Sequence, residues 1–130
     1  MDELKRESGN YETSISYNGK EVTLVLEPDG SPIEETLKVA NEMISNLITL
    51  DAKAKKFLTE ECLDTYNDEI REDDEPELDT HSFENQLVLD EISVVGNDFV
   101  LFFYKGILED FTWMASTSNG ENFDECDILT

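Results

Sequence analysis

The sequence is poor in basic residues. It has 9 Lys and Arg against 32 Asp and Glu in 130 residues, a formal net charge of −23. Because phosphate groups would be repelled by such a chain, we expect it to bind neither nucleic acid nor an anionic membrane. No apolar run approaches the ~20 residues of a membrane-spanning helix, and the charged N-terminus lacks the apolar core of a signal peptide. The sequence therefore predicts a soluble, cytoplasmic, strongly acidic protein.

Histidine and cysteine are also scarce, with 1 His and 2 Cys. Cys62 and Cys126 could form one disulfide, but a reducing cytoplasm favours two free thiols. A zinc site needs three or four His or Cys ligands, and a catalytic triad would have to use His81, the single histidine. No glycine-rich phosphate loop occurs. We therefore expect no metal site and no cofactor.

What is present predicts an ordered domain. Residues 11–17 alternate apolar and polar side chains, and Asn18-Gly19 then separates them from the apolar run 22–26. Asn-Gly between two strand-like runs is a strong hairpin signal. An apolar stripe at helical spacing follows over 33–48, and Leu50-Asp51 indicates a break before a second helix from Ala52 to about Tyr66.

The remainder of the chain falls into an acidic segment and a series of strands. Eight acids between Asp68 and Asp79, together with Pro76, predict an exposed loop at about 68–80. Strand-like segments then recur to the C-terminus, separated by turn residues. We predict a single α+β domain over 1–130: an N-terminal β-hairpin, two helices, then an antiparallel four-strand meander, with the helices packed on one sheet.

Several segments resemble a known family. They are the helix end at Tyr66-Asn67, the run Leu87-Val88-Leu89, the strand Phe102–Tyr104 and the terminal Cys126-Asp127-Ile128. Together they are similar to a family of small bacterial proteins known only as a domain of unknown function, number two-two-six-two, over roughly residues 40–129. The resemblance implies a shared fold and an association with immunity proteins in bacterial toxin neighbourhoods.

The distribution of charge suggests a function. Residues 81–130 hold ten acids and one basic residue, Lys105, on strands whose alternation places most acids outward. We expect a non-enzymatic, immunity-like binding protein that engages a basic protein partner. The alternative is a small carboxylate-dependent enzyme with no recognisable motif, and the sequence sets no oligomeric state. The candidate partner-binding residues are Glu91, Asp98, Glu109 and Asp110.

Overall fold

The computed structural model describes residues 10–96, 98–108, 110–118 and 122–129, and the backbone of 5–7. Within this part of the chain one sheet is formed, whose strands lie side by side in sequence order. Its seven strands are β1 (Lys5–Glu7), β2 (Asn10–Tyr17), β3 (Lys20–Glu27), β4 (Val88–Val95), β5 (Phe99–Lys105), β6 (Thr112–Thr117) and β7 (Glu125–Leu129).

The helices connect β3 to β4. In the described residues they are α1 (Ile33–Ser45), α2 (Leu47–Thr65), a π-helical turn (Tyr66–Ile70) and α3 (Thr80–Gln86). In the same residues, none of these helices has the length and the apolar character needed to cross a membrane. Because helices and one mainly antiparallel sheet occur together, the predicted α+β class is confirmed.

The predicted N-terminal hairpin is confirmed. β2 and β3 pair antiparallel, with Tyr17 opposite Lys20 at the turn. Asn18 and Gly19 have φ angles of 52° and 78°. A turn with two positive φ angles matches the twist of the strands, and Asn-Gly is the pair that adopts it most readily.

The predicted meander is wrong as a separate antiparallel unit. β4 to β7 do follow one another antiparallel, but β4 also pairs parallel with β3, so that Thr23 lies opposite Glu91. The result is one mixed sheet in which β4 is central. Burial explains this position: Ile92 and Val94 are 0% exposed on one side of β4, and Ser93 is only 8% exposed on the other. A strand in the interior of a sheet has a neighbour along each edge, and the side chains of those neighbours help to cover both of its faces.

The first helix break lies earlier than the sequence predicts. α1 ends at Ser45, and Asn46 leaves the helical conformation with φ −115° and ψ 18°. Leu50-Asp51, predicted as the break, lies within α2, and both residues are buried. In the sequence Asp51 resembles a capping residue. The hydroxyl groups that bind its carboxylate belong to Tyr17 and Tyr104, which are too distant along the chain to be recognised as partners.

The prediction of two helices is also wrong, because α3 forms a third. The Asp79 carboxylate accepts a hydrogen bond from the Ser82 backbone N–H at 2.8 Å, which caps the helix. This bond lowers the pKa of Asp79. Phe83 is 0% exposed, and its ring contacts Tyr66 and Trp113 edge-on, with centroids 6.1 and 5.4 Å away. Tertiary packing thus stabilises a helix too short to form alone.

The acidic segment is ordered by two polar side chains. Of the predicted loop at 68–80, residues 71–79 lie outside the helices. The Asn67 side-chain amide donates to the carbonyl of Leu78 and accepts from its N–H, both at 2.9 Å. Arg71 donates to the carbonyl of Glu75 at 2.7 Å and contacts the Glu77 carboxylate at 3.3 Å.

The hydrophobic core lies between the helices and one face of the sheet, which we call the inner face. On β5, Phe102 and Tyr104 are 0% exposed on this face, whereas Phe103 between them is half-buried on the opposite side. The aromatic residues of β5 therefore occupy both faces of the sheet.

Candidate functional site

The face of the sheet that points away from the helices, here called the open face, combines apolar and acidic side chains. Strand register aligns its residues in rows that cross the sheet from β2 to β7. One row is Ser14, Thr23, Glu91, Phe103, Met114 and Asp127. The next row is Glu12, Val25, Ser93, Leu101, Ser116 and Glu125.

The middle of the open face is apolar and only partly covered. Val25, Leu101, Phe103 and Met114 are each half-buried, whereas the inner-face residue Trp113 is 0% exposed. Neighbouring side chains bury part of their surface, and no described helix packs over them. These four residues, the apolar strip, remain accessible to another molecule.

Acidic side chains border the apolar strip, and Glu91 lies next to Phe103 in the same row. Burial raises the pKa of Glu91, and the negative charges of Asp90, Glu12 and Glu27 raise it further. The register shifts between Leu89 and Glu91, a β-bulge that leaves Asp90 as an extra residue in β4. Four carboxylates from three strands thus lie close enough to repel one another, which creates negative potential over the face.

Two described side chains partly balance this charge: the Asn10 amide donates to the Glu27 carboxylate at 3.4 Å, and Lys20 contacts Asp90. Lys20, at the start of β3, forms an ion pair with Asp90 at 3.3 Å and donates to the Leu89 carbonyl at 3.2 Å. Both ion-paired side chains are well exposed, at 44% and 46%. An exposed pair of this kind is weak, so the cluster retains most of its negative potential.

The four acids singled out in the sequence do not form one cluster. Glu91 is half-buried on the open face, and Asp98 and Asp110 are exposed. Asp98 precedes β5 and Asp110 follows it, so the seven residues of β5 separate them by about 20 Å. Glu109 lies outside the described residues.

Sequence reasoning missed the contributions of Glu12 and Glu27. Each follows the alternation of its own strand, with Thr13 and Leu26 as inward neighbours. That pattern reveals an outward acid, but only the parallel pairing of β3 with β4 brings these acids near Glu91.

A second polar cluster is buried beneath the sheet. Asp51 of α2 is 4% exposed, and its two carboxylate oxygens accept hydrogen bonds from the Tyr104 hydroxyl at 2.5 Å and the Tyr17 hydroxyl at 2.8 Å. Lys55 lies 3.4 Å from the oxygen that Tyr17 contacts. Burial, followed by the contacts with Asp51, raises the pKa of Tyr17 to about 12 and that of Tyr104 well above its usual value.

One signal in the sequence points to a buried Asp51, although the same residue also fits a helix cap. It lies among Leu47, Leu50, Ala54 and Leu58, which form the buried stripe of α2. A carboxylate in such a stripe indicates a buried partner, and tyrosine is a frequent hydroxyl donor. Its three contacts make it a structural link between α2, β2 and β5.

Two further features of the described residues bear on metal and acid–base chemistry. In the described ranges, no three His, Cys, Asp or Glu side chains are grouped to hold a metal ion. A cleft of about 590 Å³ lies between the β2–β3 turn and the α1–α2 junction. Its described lining consists of apolar and uncharged polar residues, with Tyr17 as the titratable side chain. No carboxylate is among these described lining residues, so the cleft lacks the carboxylate pair that general acid–base catalysis often uses. The Tyr17 hydroxyl donates to Asp51.

Comparison with known proteins places the chain in a family. No curated protein and no solved structure matches it. A family model does match residues 3–122, nearly the whole chain, and its members are described as uncharacterized proteins conserved in bacteria. The match begins further towards the N-terminus than the resemblance detected over residues 40–129, and it includes the hairpin. The chain belongs to this family, DUF2262.

Proposed function

We propose that the chain is a non-enzymatic binding protein that engages a basic protein partner through the open face of its sheet. The observation that carries the proposal is the apolar strip, half-buried and bordered by the carboxylates of Glu12, Glu27, Asp90 and Glu91. Helices cover the inner face, whereas this face retains accessible apolar surface beside concentrated negative charge.

The two components of the face have different physical roles. Burying Val25, Leu101, Phe103 and Met114 against a partner would remove apolar surface from water, which favours association. The acids would steer a positively charged protein towards the face and accelerate encounter. The same acids repel one another in the free protein, so a cationic partner also relieves that repulsion.

The class of partner follows from charge and from the resemblance noted in the sequence. Nucleic acids and anionic membranes are repelled by a chain of charge −23. A nuclease-like toxin, which carries positive charge to bind its own phosphate-rich substrate, is complementary to this face. An immunity role would then consist of occupying that basic surface.

The experiment begins with recovery of the partner. A photo-reactive amino acid at Phe103 should form a cross-link in native lysate, and the same group at exposed Ile48, near the α1–α2 junction, should not. The cross-linked protein, once identified and purified, provides the ligand for rate measurements.

Matched charge variants then test the face. Glu12→Gln with Glu91→Gln removes two charges from the open face, and Glu34→Gln with Glu42→Gln removes two exposed charges from α1. The open-face variant should associate several-fold more slowly at low salt, with the difference vanishing near 1 M salt, where the Debye length is about 3 Å. The α1 variant should differ little from the parent protein.

Two results would contradict the proposal. Equal slowing of both variants would show that net charge alone matters, and an association rate indifferent to salt would exclude steering. A third variant, Asp98→Ser with Asp110→Ser, tests whether the acids at the ends of β5 also contribute.

A further inference from the structure

Two cysteines that are distant in the sequence meet in the structure. Cys62 belongs to α2 and Cys126 to the edge strand β7. Each thiol influences the ionisation of the other, so the two side chains lie close together. Both are free thiols.

The fold fixes this meeting independently of the thiols themselves. Cys126 pairs with Ala115 of β6, which is 0% exposed on the inner face, so the Cys126 side chain points towards the helices. One helical turn after Cys62, the Tyr66 ring packs on Trp113, with centroids 6.4 Å apart. A few residues before each cysteine in the chain, Phe57 of α2 and Phe123 line one cleft. Since Trp113 pairs with Ile128, two residues after Cys126, α2 runs alongside β7 and Cys62 lies near Cys126.

The two thiols differ in access. Cys62 is 2% exposed, whereas Cys126 is an exposed residue at the last strand of the described sheet. A soluble oxidant therefore reaches Cys126 first, and Cys62 is positioned to attack whatever forms there. This is the arrangement of an attacking thiol and a resolving thiol.

We propose that Cys62 and Cys126 form a reversible intramolecular disulfide by exchange with a small disulfide such as glutathione disulfide. In the first step the Cys126 thiolate attacks one sulfur of glutathione disulfide, forming a mixed disulfide and releasing one glutathione thiolate. In the second step the Cys62 thiolate attacks the Cys126 sulfur, forming the protein disulfide and releasing the second glutathione. The protein loses two protons and two electrons, and glutathione disulfide gains them as two thiols.

The surroundings of the thiols make this exchange slow at neutral pH. Burial raises the pKa of Cys62 to about 12, with further increases from Cys126 and Glu61. Burial also raises the pKa of Cys126; the interaction with Cys62 offsets part of this rise, and the charges of Glu61 and Asp127 add to it. The thiolate fraction is small, so the pair responds to sustained oxidation rather than to brief pulses.

The disulfide would connect an edge strand to a central helix. Within the described sheet β7 pairs with β6 alone, and it carries two acids of the open face, Glu125 and Asp127. A covalent link to α2 restricts the separation of β7 from the sheet.

The test uses the full-length folded protein and glutathione redox buffers. After equilibration and acid quenching, intact mass should show the loss of two hydrogen atoms, and peptide mapping should join the Cys62 and Cys126 peptides. The disulfide-to-dithiol ratio should be roughly tenfold or more higher for the folded protein than for the protein in urea, because the fold holds the thiols together. The melting temperature should rise on oxidation and return on reduction.

Single-cysteine variants separate the two steps. Cys62→Ala should accumulate one glutathione adduct at Cys126, because the resolving thiol is missing. Cys126→Ser should form neither the adduct nor the disulfide at a comparable rate, since Cys62 is buried. Circular dichroism establishes that each variant is folded, and Cys62→Ser serves as the alternative if Cys62→Ala is not.

Several results would overturn the proposal. They are a stable mixed disulfide in the parent protein, a disulfide between two copies of the chain, or thiols that remain free in the oxidising buffer. A disulfide ratio no higher in the folded protein than in urea would also overturn it, because it would show that the fold disfavours the bond.

Discussion

Replacing Tyr104 by phenylalanine removes one hydroxyl from the buried carboxylate of Asp51 and leaves the aromatic ring in place. The ring is 0% exposed and Asp51 is 4% exposed, so little water can take the place of the lost donor. Hydrogen bonds to charged groups contribute about 1.5–3 kcal/mol, and an unsatisfied buried acceptor costs a similar amount. We expect Tyr104→Phe to lower the free energy of unfolding by about 2–3 kcal/mol.

Tyr17→Phe provides the internal control. Its hydroxyl donates to the other oxygen of the same carboxylate, but Tyr17 is only half-buried, and Lys55 lies 3.4 Å from that oxygen. Water and the ammonium group can therefore compensate, and the expected cost is about 0.5–1.5 kcal/mol. The prediction concerns the ranking of the two losses in unfolding free energy as well as their size. The Tyr104 variant must be the less stable of the two.

Urea denaturation followed by circular dichroism measures the free energy of unfolding of both variants. An m-value equal to that of the parent protein shows that the folded state is intact. In thermal melts a protein of this size should lose roughly 3–5 °C for each kcal/mol. The double variant should depart from additivity by more than about 0.5 kcal/mol, because both hydroxyls share one acceptor. A Tyr104 variant as stable as the Tyr17 variant, or strictly additive effects, would refute the role assigned to Asp51.

Two further predictions concern ionisation and charge. Because folding raises the pKa of Tyr17 from 10.0 to about 12, its contribution to stability should be complete below pH 10 and decline as the pH rises towards 12; urea midpoints should show this decline, and Tyr17→Phe should make it shallower. Neutralising the acids at 72–75 with Gln and Asn should raise the melting temperature by about 1–3 °C by reducing self-repulsion, and added salt should raise that of the parent protein. A marked loss of stability instead would indicate a structural cation on this segment.

The sequence predicted best the features that neighbouring residues determine. Asn18-Gly19 specifies its own turn through the φ angles that it tolerates. Alternation within one strand is equally local, and it places Phe102 and Phe103 on opposite sides of β5.

The features that were missed depend on contacts between distant parts of the chain. α3 is stabilised by the packing of Phe83 on Tyr66 and Trp113. The seven residues of α3 do not themselves indicate this packing, because both partners lie elsewhere in the chain. The break at Asn46 was assigned to Asp51 because a buried Asp and a capping Asp look alike without their partners.

The candidate site was predicted only in outline. An acidic outer face was expected from alternation, and Glu91 does lie on it. The cluster around Glu91 depends on the parallel pairing of β3 with β4, which no local pattern encodes. Charge and alternation thus predict a type of surface, whereas register decides which acids meet.

The order of the strands also has a consequence for how the protein reaches its folded state. Strands that are neighbours in the described sheet are also consecutive in the chain. Short segments connect most of them, but the whole helical segment lies between β3 and β4. Hairpins can close within microseconds, but joining Thr23 to Glu91 requires closure of a long loop. We therefore expect the hairpin and the C-terminal strands to form early, and the rate-limiting event to be their association along β3 and β4 as the helices collapse onto the inner face.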